Sequence, residues 1–443
     1  METDDVVDRA QQLAREYISG LARRPVGGAD APGLRRPLTD EGLDPIEVLE
    51  DLAADADPGL VASAGPRYFG FVVGGSLPVA TGADWLVSAW DQMSGMYSSS
   101  PAVAIAEEVT AAWMLELLGL PPLASSGFTT GAQMANFTCL AAARGALLGA
   151  LGWDVEDCGL FGAPEIDVLV GDEVHVTVLV ALRLLGLGEA RVTRVPVDAN
   201  GAMDPGALRE ALPPGGRPLL VCAQAGNVNT GACDPLEPIA EIVAERGGWL
   251  HLDGAFGLWA AASPRFAHLV AGRERANSWA LDAHKWLNVP YDCALAVVGD
   301  PEAHRRAMTL SAAYLQGSGT REPAQFVPEA SRRARAIPAY AAIRSLGRRG
   351  VADLVERCCD HAAMMSALLS EGGLELLGDL VLNQVLVAAD PGHVARVQAE
   401  GTCWLGGTVW RGRDALRVSF SNWSTTEADV RRSARAILEA APG

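Results

Sequence analysis

Lysine is nearly absent from this chain. Among its 443 residues lysine and arginine together number 35, and Lys285 is the only lysine. Positive charge is also outweighed: 54 acidic residues leave a formal net charge of −19. That balance argues against nucleic acid or an anionic membrane as partner. Long apolar runs are missing too. The longest uncharged stretch, Leu117–Ala143, is broken by Pro121, Pro122 and three glycines, so no membrane-spanning helix is expected. The eight cysteines are sparse and include no CxxC, which points to buried free thiols rather than a disulfide scaffold. The opening METDDVVDRA is acidic with no apolar segment behind it, so a secretory signal is not expected and a cytoplasmic location is. No repeat or low-complexity tract occurs. What is present is ordinary globular composition, 49% hydrophobic and 20% charged, which excludes a wholly disordered chain.

The pattern along the chain changes twice. The first 60 residues read as helical around a loop of proline and glycine. A long helix follows from Pro101, with Ile105, Val109, Trp113 and Leu117 at helical spacing and Gly119 and Pro121 as its stop. Between about 125 and 300, short apolar runs alternate with helical stretches. Strands are expected at IDVLV (from Ile166), RVTRVPV (Arg191), PLLVCAQA (Pro218), WLHLD (Trp249), NSWAL (Asn277) and CALAVVG (Cys293). Helices are expected at Met134–Ala150, Val176–Gly186, Pro205–Leu212 and Pro235–Arg246. Apolar strands without polar alternation imply a sheet covered on both faces, and strand–helix alternation implies a mostly parallel one. The last hundred residues read as a small α+β unit. It has a long helix (Gly350–Ser370), strands at LELLG, VLNQVLVAA, GTVWRGR and ALRVSFS, a helix near Val394, and a final helix capped at Ser424-Thr425-Thr426-Glu427. The expected division is an N-terminal helical segment (1–70), a large α/β domain (71–320) and a small C-terminal α+β domain (321–443).

Four features fall in loops beyond expected strands, where doubly wound sheets bind ligands. GFTTGAQMAN, from Gly127, brings small residues to a helix start, a ready anion site. His175 follows a strand at another helix start. Asp253 ends an apolar strand in HLDGAFG, placed to hold a cationic group. Lys285 lies in DAHKWLNVPYDC, and an amine can act as a nucleophile where a guanidinium cannot. Each alone has a plain structural reading: a loop–helix junction, a satisfied histidine, a turn-capping acid, a surface lysine. His251 and Asp253 share a strand face, but no further ligand is near in sequence, so a metal site is not expected. Together the four supply an anion loop, an imidazole, a carboxylate and an amine, the parts that pyridoxal 5'-phosphate requires.

On DAHKWLNVPYDC, HLDGAFG, TTGAQMAN and DEVHVTV, the sequence resembles the group II pyridoxal-phosphate-dependent amino-acid decarboxylases, the aromatic-amino-acid and glutamate decarboxylase family of fold type I, from about residue 45 to 435. The resemblance implies a large domain built on a mostly parallel, seven-stranded-type sheet. It makes Lys285 the Schiff-base lysine, Asp253 the partner of the pyridine nitrogen and His175 the residue stacked on the ring. It puts Gly131, Ala132 and Gln133 at the phosphate loop, His284 near the phosphate, Ala255 against the other ring face, and Asn227 among the cofactor contacts. Arg417, in ALRVSFSNWSTT, falls where a substrate carboxylate is gripped; its plain reading is an exposed strand arginine. Arg332, Arg333 and Arg335 read as a structural or interface charge cluster.

The resemblance also implies a homodimer with shared active sites, Met96 and Tyr97 approaching the other subunit's cofactor, and an amino acid as the small-molecule substrate. Departures occur as well. Gly65 stands where the family has a histidine before Pro-Arg, and Asn227-Val228 where it has Thr-Thr. The stretch 315–328 lacks the loop tyrosine that donates a proton in the aromatic decarboxylases, Tyr314 being nearest. Gly95 stands where those enzymes carry a bulky pocket residue. The expected reaction is decarboxylation of an L-amino acid to its amine. Transamination or oxidative decarboxylation to an aldehyde is the alternative on the same cofactor, and a non-catalytic scaffold the alternative of another class.

Overall fold

The computed structural model describes residues 3–309 and 319–441. Among them, seven strands form the central sheet: β1 (Ser125–Thr129), β2 (Asp167–Gly171), β3 (Val192–Val195), β4 (Leu219–Gln224), β5 (Trp249–Asp253), β6 (Ser278–Asp282) and β7 (Ala294–Val298). Their order is β1-β7-β6-β5-β4-β2-β3, with β7 antiparallel to both neighbours and the other pairs parallel. This is the mostly parallel sheet expected. All six anticipated strands are present. β1 is an addition: its SSGFT sequence lacks a β-branched run, and pairing with β7 makes it a strand.

Alternation explains the burial of both faces. Leu219, Val221 and Ala223 of β4 join one apolar cluster, and Leu220 and Cys222 join the cluster on the opposite face. Successive side chains of a strand point to opposite sides, so a fully apolar strand must be covered twice. The helix Ala132–Gly149 covers the second face with Ala135, Cys139, Ala142 and Ala143. Small residues let it lie close to β5, β6 and β7.

The C-terminal part holds β8 (Gln384–Ala388), β9 (Gly406–Trp410) and β10 (Arg413–Ser419), an antiparallel sheet in the order β8-β10-β9. LELLG contributes a single bridge, Leu376 to Val387, rather than a strand. The long helix spans Ala336–Glu371 and bends at Gly347, whose φ of 62° lies outside helical space. The final helix begins one turn-step later than its sequence suggests: Thr426 is the N-cap and Asp429, not Glu427, closes the capping box.

The helix Pro101–Leu118 forms as expected, with Leu117 of the expected stripe buried and Val109 and Trp113 half-buried, but its buried face is shifted away from Ile105. Ile105 is 50% exposed, whereas Val103, Glu107, Thr110, Met114 and Leu118 point inward. The reason is a charge. Glu107 is buried against Arg332 at 2.8 Å, both side chains 1% exposed. Arg333 pairs with Asp84 and Arg335 with Asp292, so the three arginines tie elements together within the chain. Six of the eight cysteines are buried, Cys233 is half-buried and Cys158 is exposed.

His304 joins β1 to the segment after the undescribed residues. Its ring nitrogens lie 2.8 Å from Ser125 Oγ and 2.9 Å from Phe326 O. Burial pushes its pKa down to about 3. An imidazole depressed by folding holds its proton more tightly in the unfolded chain. Its stabilising contribution is therefore complete above the unfolded value near 6.5 and is lost as pH falls. In urea melts, His304→Gln should flatten the loss of stability between pH 6 and pH 4 by up to ~1.4 kcal/mol per pH unit. A slope identical to that of the unaltered protein would contradict the assignment.

Candidate active site

The carboxyl ends of the parallel strands open into a cavity of about 490 Å³. It is lined by Gly131, Ala132, Gln133, His175, Asp253, Ala255, His284, Lys285 and Arg417 from the residues singled out in the sequence, and by Phe71, Val72, Val73, Thr177, Gln224, Gly226, Val228, Phe256, Asp282 and Tyr291.

β6 delivers the amine. It ends at Asp282, and the chain then turns through Ala283 and His284, whose N–H groups both donate to Cys293 O. That turn swings Lys285 back so that Nζ lies 2.9 Å from Asp282 Oδ2. Asp282 is 3% exposed, and its other oxygen accepts the Ala132 N–H at 2.6 Å. One carboxylate therefore joins the lysine to the start of the helix Ala132–Gly149. The backbone around Lys285 is tightly packed from the other side. A Cβ on Gly74 would sit 1.7 Å from Lys285 O, so only glycine allows the segment Phe71–Gly75 to press there.

β5 delivers Asp253, which is 3% exposed. Its Oδ1 accepts the Ala255 N–H at 3.1 Å and its Oδ2 accepts Asn136 Nδ2 at 3.3 Å. Beyond β2, His175 caps the helix Val176–Leu184. Its Nδ1 accepts the Thr177 N–H and lies 2.8 Å from Thr177 Oγ1. Burial lowers its pKa, which the Asp253 charge only partly offsets and Lys285 and Arg417 reinforce. The imidazole is thus neutral at physiological pH, with its remaining proton on Nε2. His284 is likewise lowered by burial. Its ring lies 4.3 Å from that of Tyr291, which flanks the cavity mouth.

β10 delivers Arg417. It is 9% exposed rather than an open strand arginine, and its Nη1 donates to Val228 O at 2.7 Å. Burial lowers its pKa to about 10, so it stays cationic at neutral pH while poorly solvated. Such a guanidinium gains much from an incoming carboxylate.

Two of the expected contacts lie outside this cavity. Asn227 closes the turn beneath it, with Oδ1 accepting the N–H groups of Asn229 and Thr230. Tyr97 donates its backbone N–H to Glu322. Gly95 does not line this cavity either, and a Cβ there would meet Ala330 O at 2.0 Å, so a close backbone approach requires that glycine. Tyr314 and residues 315–318 are outside the described residues. Asp282 and Asn136 escaped the sequence reading. Asp282 stands three residues before the lysine at a strand end, and Asn136 is an amide amid small apolar helix residues; those were their signals.

A family model, the pyridoxal-dependent decarboxylase conserved domain, matches residues 32–385. The aromatic-L-amino-acid decarboxylase of Bacillus atrophaeus is 27% identical over 372 residues, 81% of this chain and 74% of the relative. The 4-hydroxyphenylacetaldehyde synthase of Rhodiola rosea is 29% identical over 373 residues, 79% and 73% of the two chains. Among solved structures, Oryza sativa TDC with PLP and tryptamine superposes with a TM-score of 0.91 at 22% identity, covering 99% of this chain and 98% of the other.

Gly74→Ala should destabilise the protein by about 1–3 kcal/mol, the usual range for forcing atoms into a packed site. Gly82→Ala, where a Cβ meets nothing within 4 Å, should stabilise the helix Pro78–Trp90 by about 0.5–1 kcal/mol. Paired chemical denaturation curves measure both, and equal effects would contradict the packing described.

Proposed function

The chain belongs to the pyridoxal-dependent decarboxylase family and is a pyridoxal-phosphate-dependent carboxy-lyase acting on an amino acid, and we propose that the cavity at the strand ends is where it does so. The observation that carries this reading is the meeting of the chain's one lysine with a buried carboxylate, a neutral imidazole, a helix start and a buried arginine in a single cavity. This donor set fits the cofactor. Lys285 would hold its aldehyde carbon, Asp253 its ring nitrogen, His175 and Ala255 its two faces, and Gly131, Ala132, Gln133 and His284 its phosphate. Asn227 supports the turn that carries Gly226 and Val228. When bound, pyridoxal phosphate supplies an electrophilic aldehyde and an electron-poor ring that draws off the electron pair of a breaking Cα bond.

The protein's own groups do the rest. Arg417 grips the α-carboxylate and sets the bond that breaks. Asp253 keeps a negative charge opposite the ring nitrogen. Neutral His175 offers a flat, uncharged face, which suits stacking better than a desolvated imidazolium would. Phe71, Val72, Val73 and Phe256 give the chamber an apolar wall, and low polarity there weakens the hydration of a carboxylate about to leave.

The same apolar wall supports an aromatic or bulky apolar side chain on the substrate. An acidic side chain would need a further cation, and among the described lining residues the permanent cations are Lys285 and Arg417. The names of the Bacillus atrophaeus and Rhodiola rosea relatives agree with an aromatic substrate. Homodimeric assembly, with Tyr97 reaching the partner's site, belongs to the same proposal. It is supported by the exposed apolar side chains Trp85, Leu86 and Trp90 on the helix Pro78–Trp90. Among the described residues no helix is long and apolar enough to cross a membrane; a cytoplasmic location and the three-part division at residues 70 and 320 complete the reading.

A second outcome, oxidative decarboxylation to an aldehyde, has one observation in its favour: the sequence of residues 315–328 contains no tyrosine. Product analysis separates the two. With phenylalanine, tyrosine and tryptophan, the protein should release carbon dioxide and the matching amine, at kcat/KM at least about tenfold above that for glutamate, a gap of roughly 1.4 kcal/mol. An aldehyde with oxygen uptake would move the assignment to the second outcome, and a keto acid would refute both. Preference for glutamate would refute the substrate class. Arg417→Met should lower kcat/KM by about a hundredfold or more, because the buried carboxylate loses its charged partner.

A further inference from the structure

Behind Asp253, away from the cavity, four buried polar side chains are joined end to end. Trp249 Nε1–H donates to Ser278 Oγ at 2.9 Å. Ser278 Oγ lies 2.9 Å from His251 Nδ1, and His251 Nε2 lies 2.9 Å from Asn136 Oδ1. Asn136 Nδ2 then donates to Asp253 Oδ2. Asn136, His251 and Ser278 are each fully buried. The placement follows from the fold. Trp249, His251 and Asp253 alternate onto one face of β5, Ser278 is paired with His251 in the parallel register of β5 and β6, and the helix Ala132–Gly149 lays Asn136 across them.

The direction of every hydrogen bond in this chain is fixed by its ends. An indole N–H can only donate, and a carboxylate can only accept. Asn136 must therefore turn its amide N–H toward Asp253, which leaves Oδ1 facing His251. That oxygen needs a donor, so His251 carries its proton on Nε2. Its Nδ1 is then an acceptor, and the Ser278 hydroxyl, whose lone pair already receives the indole, supplies the proton. One arrangement satisfies every group. Reversing any member would set donor against donor or lone pair against lone pair among fully buried groups, which is costly. His251 is also held neutral by burial, its pKa lowered to about 3, so the chain does not switch within the physiological range.

A helix packed on a sheet has no need of a buried amide, nor a central strand of a buried imidazole. Apolar residues would fill both positions at less cost. What the polar chain provides is a fixed donor at Asp253 Oδ2, while the Ala255 N–H holds Oδ1. We propose that Asn136 and His251 are positioning residues that fix the Asp253 carboxylate for the cofactor's ring nitrogen, with Ser278 and Trp249 setting the orientation of the chain. This rests on the assignment of Asp253 to that nitrogen.

The test compares binding of two ligands to the cofactor-stripped protein, followed by absorbance and tryptophan quenching. One is pyridoxal phosphate and the other is its 1-deaza analogue, which has carbon in place of the ring nitrogen. Asn136→Ala and His251→Leu should weaken pyridoxal phosphate by about tenfold, the scale of one hydrogen bond to a charged group. The same variants should change binding of the deaza analogue by less than about twofold, since that ring offers Asp253 no partner. His251→Gln, which keeps a donor toward Asn136, should recover most of the affinity. Equal losses for both ligands would mean a general packing defect and would overturn the proposal. Asp253→Ala is the control. If it weakens pyridoxal phosphate while Asn136→Ala and His251→Leu do not, the positioning chain is refuted and the Asp253 assignment stands. If it leaves pyridoxal phosphate binding unchanged, the Asp253 assignment itself fails and the proposal with it. Should Asn136→Ala not fold, the contrast between His251→Leu and His251→Gln decides the matter.

Discussion

A single buried carboxylate, Asp282, ties together the parts of this site. It holds the Lys285 ammonium at 2.9 Å, accepts the first N–H of the helix Ala132–Gly149, and lies 3.5 Å from His284 Nε2. Those groups come from two separate stretches of chain, the turn after β6 and the start of the helix Ala132–Gly149, and they are the proposed contacts for two ends of one ligand: Lys285 for the aldehyde, Ala132 and His284 for the phosphate. Two like charges could not share that space, and an unpaired one would be expensive to bury. The acid and the amine therefore specify each other's position, and the helix start is drawn in with them. Glycine at position 74 closes the arrangement from outside, because the carbonyl of Lys285 leaves no room for a side chain.

Charge is arranged around the cavity in a consistent order. Acids sit at the floor, at the ends of β5 and β6, where strand termini and buried polar partners hold them. The cations Lys285 and Arg417 project toward the space between floor and mouth. Histidines in the cavity are neutralised by burial, so they add shape and hydrogen bonds without disturbing that balance. Apolar residues from the segment after Tyr68 form the wall. Phe71 is held at a φ of 54° and stacks on Trp404, a strained position that the aromatic contact and the close packing of Gly70 and Gly74 maintain.

Much of this was legible in the sequence because the signals were local. Apolar runs ending in Asp253 or preceding Lys285 name both a strand and a functional terminus, and a lone lysine in an arginine-rich chain marks itself. What escaped detection depends on distant partners. β1 is a strand because β7 lies beside it. The buried side of the helix Pro101–Leu118 includes a glutamate because Arg332, more than 200 residues away, meets it there. Asn136 drew no notice and His251 was paired with Asp253 only as a rejected metal pair, because the meaning of both lies in a chain of contacts crossing three elements. The need for glycine at position 95 comes from the carbonyl of Ala330, more than 200 residues away. Asn227 and Tyr97 were drawn from resemblance alone, and neither lines this chain's cavity.

The central claim is that the one ε-amine of the protein is the group that captures the cofactor's aldehyde. With a single lysine, peptide mapping can test this without ambiguity. The protein loaded with pyridoxal phosphate, reduced with borohydride and digested, should carry the added mass on one peptide, the one containing Lys285. Label found on the N-terminal amine alone, or no stable label at all in protein that still releases carbon dioxide, would contradict the account.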